Sequence, residues 1–196
     1  MTWKILIAIF IIACLSCASA IQASNKENPL AEGKKLSRFT ITGDKKQITF
    51  PDDFKGQVFA MYFSNLVDNK DGFQFLSWGG GFTIILRQGD KALNDVYFAG
   101  IVSLKNRPLY WVPLLVRKTF SDAMKKNDIR GEIFYDWNNK IADKLNIGAK
   151  EIRAVIVDKN GIIRRSFDCK IYELSPEEKQ KVEDLFKELL NEKIND

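Results

Sequence analysis

The sequence predicts an α/β fold: a mixed sheet flanked by helices, ending in a β-hairpin and a C-terminal amphipathic helix. Three observations carry this. Short runs rich in β-branched and aromatic residues alternate with stretches of helical period, an order that argues for a mostly parallel sheet with crossovers. Residues 153–158 and 162–167 flank Asp158-Lys159-Asn160-Gly161, a tight turn in which Asn and Gly tolerate positive φ. Ser175, Pro176 and Glu178 then read as a helix N-cap, a first-position proline and a capping-box acid, followed by Val182, Leu185, Phe186, Leu189 and Leu190 on one helical face.

Residues 1–20 form a separate object. A short cationic start ending at Lys4 precedes an uninterrupted apolar run over 5–13, and Ala18-Ser19-Ala20 fits a small-x-small cleavage site, so they are expected to be a signal peptide that sends the chain to the periplasm or outside the cell. A membrane anchor would need about 18 apolar residues, and this run reaches that only by including Ser16 and Cys17. Ile11-Ile12-Ala13-Cys14 also matches a lipoprotein cleavage box loosely, with Ile11 where Leu is favoured; Cys14 is then the candidate lipidation site and the product a membrane-anchored lipoprotein. Cys14 and Cys17 spell a Cys-x-x-Cys, but inside the leader, where no strand precedes it and no helix N-terminus lowers a thiol pKa. Cleavage after Ala20 leaves Cys169 as the one cysteine, so no internal disulfide is expected.

The remaining elements follow in order. Residues 21–35 are polar with one proline and read as a flexible arm ahead of a single domain over 36–194. Residues 38–42 and 47–50 alternate polar with apolar around Gly43-Asp44, the signal of a small edge hairpin. Residues 57–63 are an aromatic-rich buried central strand. Over 73–88, Phe73, Phe75, Leu76 and Trp78 suit a helix that Gly79-Gly80-Gly81 would kink or break, each glycine costing about 1 kcal/mol relative to alanine. The glycines make no phosphate cradle, because no Lys-Ser/Thr follows them. Residues 95–104 are a second buried strand, and 114–126 a helix that begins after Pro113. A short strand over 132–135 leads to Asp136 as N-cap of a helix carrying Trp137, Ile141 and Leu145, which ends at Ile147-Gly148.

Composition narrows the chemistry. The 196 residues are 45% hydrophobic and 28% charged, as in a globular chain with one core. The net charge is +5, or +4 once Lys4 leaves with the leader, and Lys34-Lys35, Lys45-Lys46, Lys125-Lys126 and Arg164-Arg165 are scattered pairs, so nucleic acid is not an expected partner. The absence of histidine excludes Ser-His and Cys-His nucleophile activation and every His-containing metal site. Asp68, Asn69 and Asp71 offer oxygen ligands, yet their spacing fails the EF-hand pattern; no metal or other cofactor is expected.

Residues 39–190 resemble the thioredoxin-like superfamily in its redoxin form, and within it are most similar to the YtfJ family of small exported bacterial proteins. The likeness is carried by Gly56-Gln57-Val58-Phe59, by Phe134-Tyr135-Asp136-Trp137-Asn138, by Ala154-Val155-Ile156-Val157-Asp158-Lys159-Asn160-Gly161 and by Leu174-Ser175-Pro176-Glu177-Glu178. It implies a thioredoxin-like sheet and a periplasmic location, and supplies no activity. Two departures from active redoxins matter. The cysteine pair expected over 64–71 is absent, and the cis-proline expected before the strand at Arg153 is replaced by Lys150-Glu151-Ile152.

These features lead to an exported binding or accessory protein without redox chemistry, whose expected partner is a protein of the cell envelope. The alternative is a single-cysteine peroxidase or thiol transferase using Cys169. An antiparallel final hairpin would return Cys169 to the edge where redoxins keep their active site, with Lys170, Arg164 or Arg165 near it to favour thiolate. The aromatics Trp78, Tyr97, Phe98, Tyr110, Trp111, Tyr135 and Trp137 could line a groove at the same edge.

Overall fold

The computed structural model describes residues 28–43, 47–65, 95–103, 118, 122, 131–149, 151–167 and 175–193. The leader with Cys14, the glycine-interrupted stretch over 73–88, the acidic loop over 68–71 and Cys169 lie outside these residues. So does the helix over 114–126, apart from helical, exposed Lys118 and Asp122.

Seven strands are described: β1 (Phe39–Thr42), β2 (Gln47–Phe50), β3 (Phe59–Asn65), β4 (Tyr97–Ser103), β5 (Gly131–Asp136), β6 (Ile152–Val157) and β7 (Ile163–Phe167), with helices α1 (Lys140–Lys144) and α2 (Pro176–Asn191). Five strands make one sheet in the order β5-β4-β3-β6-β7. The expected central strand is central, shifted by two residues, and all seven of its residues are buried. Such a strand is covered on both faces, which is why its sequence reads as a continuous apolar run rather than an alternating one.

The sheet is less parallel than the alternating order predicts. β3 pairs in parallel with β4 and β4 with β5, but β3–β6 and β6–β7 are antiparallel. The reason lies between β5 and β6. Five helical residues rise about 7.5 Å, whereas a six-residue strand is about 20 Å long. With so short a helix there is no crossover helix to cover the sheet, and the pairing shows the chain entering β6 from the end at which it left β5.

Two cores follow from the pleat. Phe59, Met61 and Phe63 face Phe50, Phe54, Phe134, Ile141 and Leu145. Ala60 and Tyr62 face Phe98, Ile133, Ile156 and the buried stripe Val182, Phe186 and Leu189 of α2. The β1–β2 hairpin is not an edge of this sheet, as its position suggests, but a separate two-stranded layer over the first core. Its alternate residues Phe39, Ile41, Ile48 and Phe50 are buried, and the Phe50 ring stacks on Phe54 at 4.7 Å and on Phe39 at 5.3 Å.

The polar composition of the arm over 21–35 conceals a docked segment. Leu30 is wholly buried, and backbone bonds join Gly33 N–H to Ile163 O (2.7 Å), Ile163 N–H to Lys34 O (2.8 Å) and Leu36 N–H to Gly161 O (2.8 Å). One apolar residue and an open strand edge suffice to seat it, and composition averages hide both.

The final hairpin forms as expected, although of its two special residues only Gly161 takes positive φ (79°). A Cβ there would meet Pro51 Cγ at 3.1 Å. The Asp158 carboxylate accepts from the N–H groups of Asn160 and Ile162, both at 2.9 Å, and pairs with Arg164 at 3.2 Å. Lys159 Nζ donates to the carbonyls of Leu190 and Glu192, so the turn is fastened to the last turn of α2. At the other end of α2, Glu178 N–H donates to Ser175 Oγ (3.2 Å) and Ser175 N–H to Glu178 Oε2 (2.8 Å), completing the capping box. Among the described residues no helix is long and apolar enough to cross a membrane.

Candidate functional site

β3, β4 and β5 end at one edge of the sheet, and β6 begins there, with Ser64 opposite Ile152. Of the buried polar or charged side chains among the described residues, Ser64, Asn65, Ser103, Asp136, Asn139 and Arg153 all lie at this edge; only Asp158 lies elsewhere. Burying a polar group costs free energy unless it is bonded, so the bonds at this edge decide what it can do.

Asp136 departs from its expected place. It is the last residue of β5, and the N-cap position belongs to Asn139, whose φ of 54° and ψ of 18° are left-handed and whose side chain makes no cap bond. Asp136 nonetheless does the capping from three residues back. Its Oδ2 accepts from Ile141 N–H (2.9 Å), Ala142 N–H (3.0 Å) and Ser103 Oγ (3.1 Å). The intervening turn carries Trp137 out of the helix into solvent, half exposed, with its ring 5.7 Å from Tyr135. Asn146, again left-handed at φ 54°, lies just past the end of α1, two residues before the glycine expected to end it.

Asn65 ties the loop ends together. Its Nδ2 donates to Ile147 O (3.1 Å), its Oδ1 accepts from Asn139 Nδ2 (3.4 Å), and its N–H donates to Glu151 O (3.2 Å). The Glu151 carboxylate accepts from Gly148 N–H (2.5 Å) through Oε2 and pairs with Arg153 Nη2 through Oε1. Arg153 Nη1 continues to Asn28 Oδ1 at 3.1 Å, an oxygen that also accepts from Leu30 N–H at 3.0 Å. Among the described residues at this edge, amides, a carboxylate and a guanidinium bond to one another. Ser64 Oγ, buried, has no hydrogen-bond partner among the described residues.

The expected site residues fare unequally. The antiparallel register Ala154↔Phe167 brings the end of β7 to this edge, as the Cys169 argument requires, but Cys169 and Lys170 themselves lie outside the described residues. Arg164 is committed to the other end of the hairpin, between Asp158 and Glu192 at 3.2 Å each, and the bond to Asp158 raises its pKa above the ordinary value. Arg165 lies over the Phe167 ring and 3.6 Å from Glu32. The aromatic groove does not form as a whole. Tyr97 packs on Phe54 and Phe98 lies near Phe186, both where β4 begins, while Tyr135 and Trp137 are at the site edge; Trp78, Tyr110 and Trp111 lie outside the described residues.

Sequence reasoning missed Asn65, Ser103, Asn139 and the Glu151–Arg153 pair. The signal available was a polar residue closing each apolar run, at Ser64-Asn65, Ser103 and Asp136. No group of three or more metal-ligating side chains occurs among the described residues. A groove of about 470 Å³ between β7 and α2 is floored by Phe167, Val182 and Leu185 and rimmed by charges of both signs.

No protein-family model matches the chain, and no curated protein matches it. Solved structures do. The thioredoxin domain of a thiol-disulfide oxidoreductase from Bacteroides vulgatus is 16% identical with a TM-score of 0.50, over 80% of this chain and 98% of that one. A yeast mitochondrial 1-Cys peroxiredoxin is 14% identical with a TM-score of 0.54, over 80% and 75%. BsSco, a member of the Sco family of cytochrome c oxidase assembly proteins, is 13% identical with a TM-score of 0.55, over 85% and 98%. At these identities the likeness is one of fold, and the fold is thioredoxin-like.

Proposed function

We propose that this chain is an exported thioredoxin-fold protein that acts without dithiol chemistry, as a binding or accessory protein of the cell envelope whose partner is another envelope protein. The observation that carries this reading is the hydrogen-bonded network among the described residues at the sheet edge. Thiol exchange needs a thiolate and a second sulfur to resolve the mixed disulfide, and the stretch after β3 has neither. At the described end of β3 and the start of β6, Asn65, Glu151 and Arg153 are each bonded to their neighbours, which supports a structural rather than a redox use of this edge. Export rests on the leader over 1–20, with cleavage after Ala20 or lipidation at Cys14, and the likeness to the YtfJ family supports the periplasm.

A partner would be met through half-exposed Trp137, the one large hydrophobic side chain exposed among the described residues. Aromatic side chains of this kind are enriched where protein surfaces bind. A photo-crosslinking residue at position 137 is expected to form a discrete adduct in the envelope, and one at position 184 on α2 none. Equal labelling from both positions, or none from either, refutes the reading.

The second reading, a one-cysteine peroxidase or thiol transferase, is favoured by the β6–β7 register that ends β7 at this edge. In that chemistry the Cys169 thiolate attacks the peroxide O–O bond, leaving a sulfenic acid and an alcohol or water, and an external thiol reduces the sulfenic acid.

A further inference from the structure

The N-terminal segment over 28–36 runs antiparallel along the outer side of β7, and its bonds do not stop at that strand. Glu32 Oε1 accepts from Ser166 N–H at 3.1 Å, standing in for a strand neighbour, and Lys35 pairs with Ile162. The far end of the segment reaches the candidate edge. There Asn28 Oδ1 accepts from Arg153, Arg153 pairs with Glu151, Glu151 Oε2 holds Gly148 N–H, and Glu151 O holds Asn65 N–H.

We propose that residues 28–36 are a strap that controls the candidate edge. Seated, it fixes Arg153, and through Glu151 both Gly148 and the end of β3; lifted, it releases that corner and uncovers the backbone of β7. The tie is physical and contiguous, with the two oxygens of one carboxylate holding Gly148 in the loop and Arg153 in β6. Leu30 sets the seated state by its complete burial, and Asn28 transmits it. Whatever holds or pulls the chain ahead of Asn28 thereby acts on the edge. This inference rests on the reading of that edge as the functional surface, but its test does not need a partner.

The test is amide hydrogen exchange on the full chain, read residue by residue by NMR, for the wild type, Asn28→Ala, Asn28→Asp and Leu30→Ala. Asn28→Ala is expected to speed exchange at Gly148 and Asn65 about tenfold, the size of an ordinary coupling between sites, while residues 154–157 of β6 keep their wild-type rates. Asn28→Asp retains the acceptor oxygen and is expected to restore both amides. Leu30→Ala, which weakens the seat, is expected to speed Ser166 and Ile163 as well. Unchanged exchange at Gly148 and Asn65 in Asn28→Ala overturns the proposal, as does acceleration spread evenly through β6, the mark of general destabilisation. Loss of the crosslink from position 137 with the exchange pattern intact would instead remove only the binding reading.

Discussion

Removing Glu151 should cost more than removing Arg153, although the two form one ion pair. The Arg153 side chain is 11% exposed and that of Glu151 26%. In Glu151→Ala the guanidinium keeps Asn28 but loses its carboxylate in a nearly dry setting. Breaking a buried pair from one side costs about 3–5 kcal/mol, and the partial exposure of Glu151 places this case at the low end, about 3 kcal/mol. In Arg153→Met the apolar stem is kept, and the carboxylate left behind rehydrates through its exposed quarter, for a cost of about 1 kcal/mol. Urea unfolding followed by Trp fluorescence would measure both. With a slope of about 2 kcal/mol/M the midpoints fall by about 1.5 M and 0.5 M. The double variant should resemble Arg153→Met, since no buried cation remains to be orphaned. Equal losses, or a larger loss for Arg153→Met, would refute the claim that this corner is a desolvated tie.

Three further outcomes follow from the same geometry. Asp136→Ala strips three donors of one acceptor and should cost about 2–4 kcal/mol in urea unfolding, against a smaller loss for Asp136→Asn, which keeps a carbonyl oxygen. Phe186→Ala empties a fully buried site beside Phe98 and should cost about 3–5 kcal/mol, seen as a lowered denaturation midpoint. The Glu178 carboxyl is held below its ordinary value of 4.5, first by the Ser175 backbone N–H and then by its hydroxyl. Its contribution is therefore complete above the unfolded value and disappears as pH falls through the lower folded one. Far-UV circular dichroism should show acid loosening of α2 in that window, and Glu178→Gln should flatten that part of the profile.

The final turn and the last helix are legible because each of their signals is local. Gly161 in the turn and the Ser175-Pro176-Glu178 box act within four residues, so the hairpin and α2 lie where the sequence places them. The direction of β6 was less legible, since it depends on how far α1 can carry the chain rather than on any residue within β6. Asp136 shows the same limit in miniature. Its capping chemistry was readable, but its position was not, because two left-handed asparagines shorten the helix and displace its start. The polar edge was hardly readable at all. Asn28 meets Arg153, and Asn65 meets Asn139 and Ile147, across separations of 125, 74 and 82 residues that no periodicity encodes.

Peroxide consumption by the purified protein, with an external thiol as reductant and Cys169→Ser as control, tests the central claim most directly. A domain that has kept the scaffold without the sulfur chemistry should consume no more peroxide than its Cys169→Ser variant across neutral pH. Turnover that disappears in Cys169→Ser would contradict the account and establish the one-cysteine enzyme in its place.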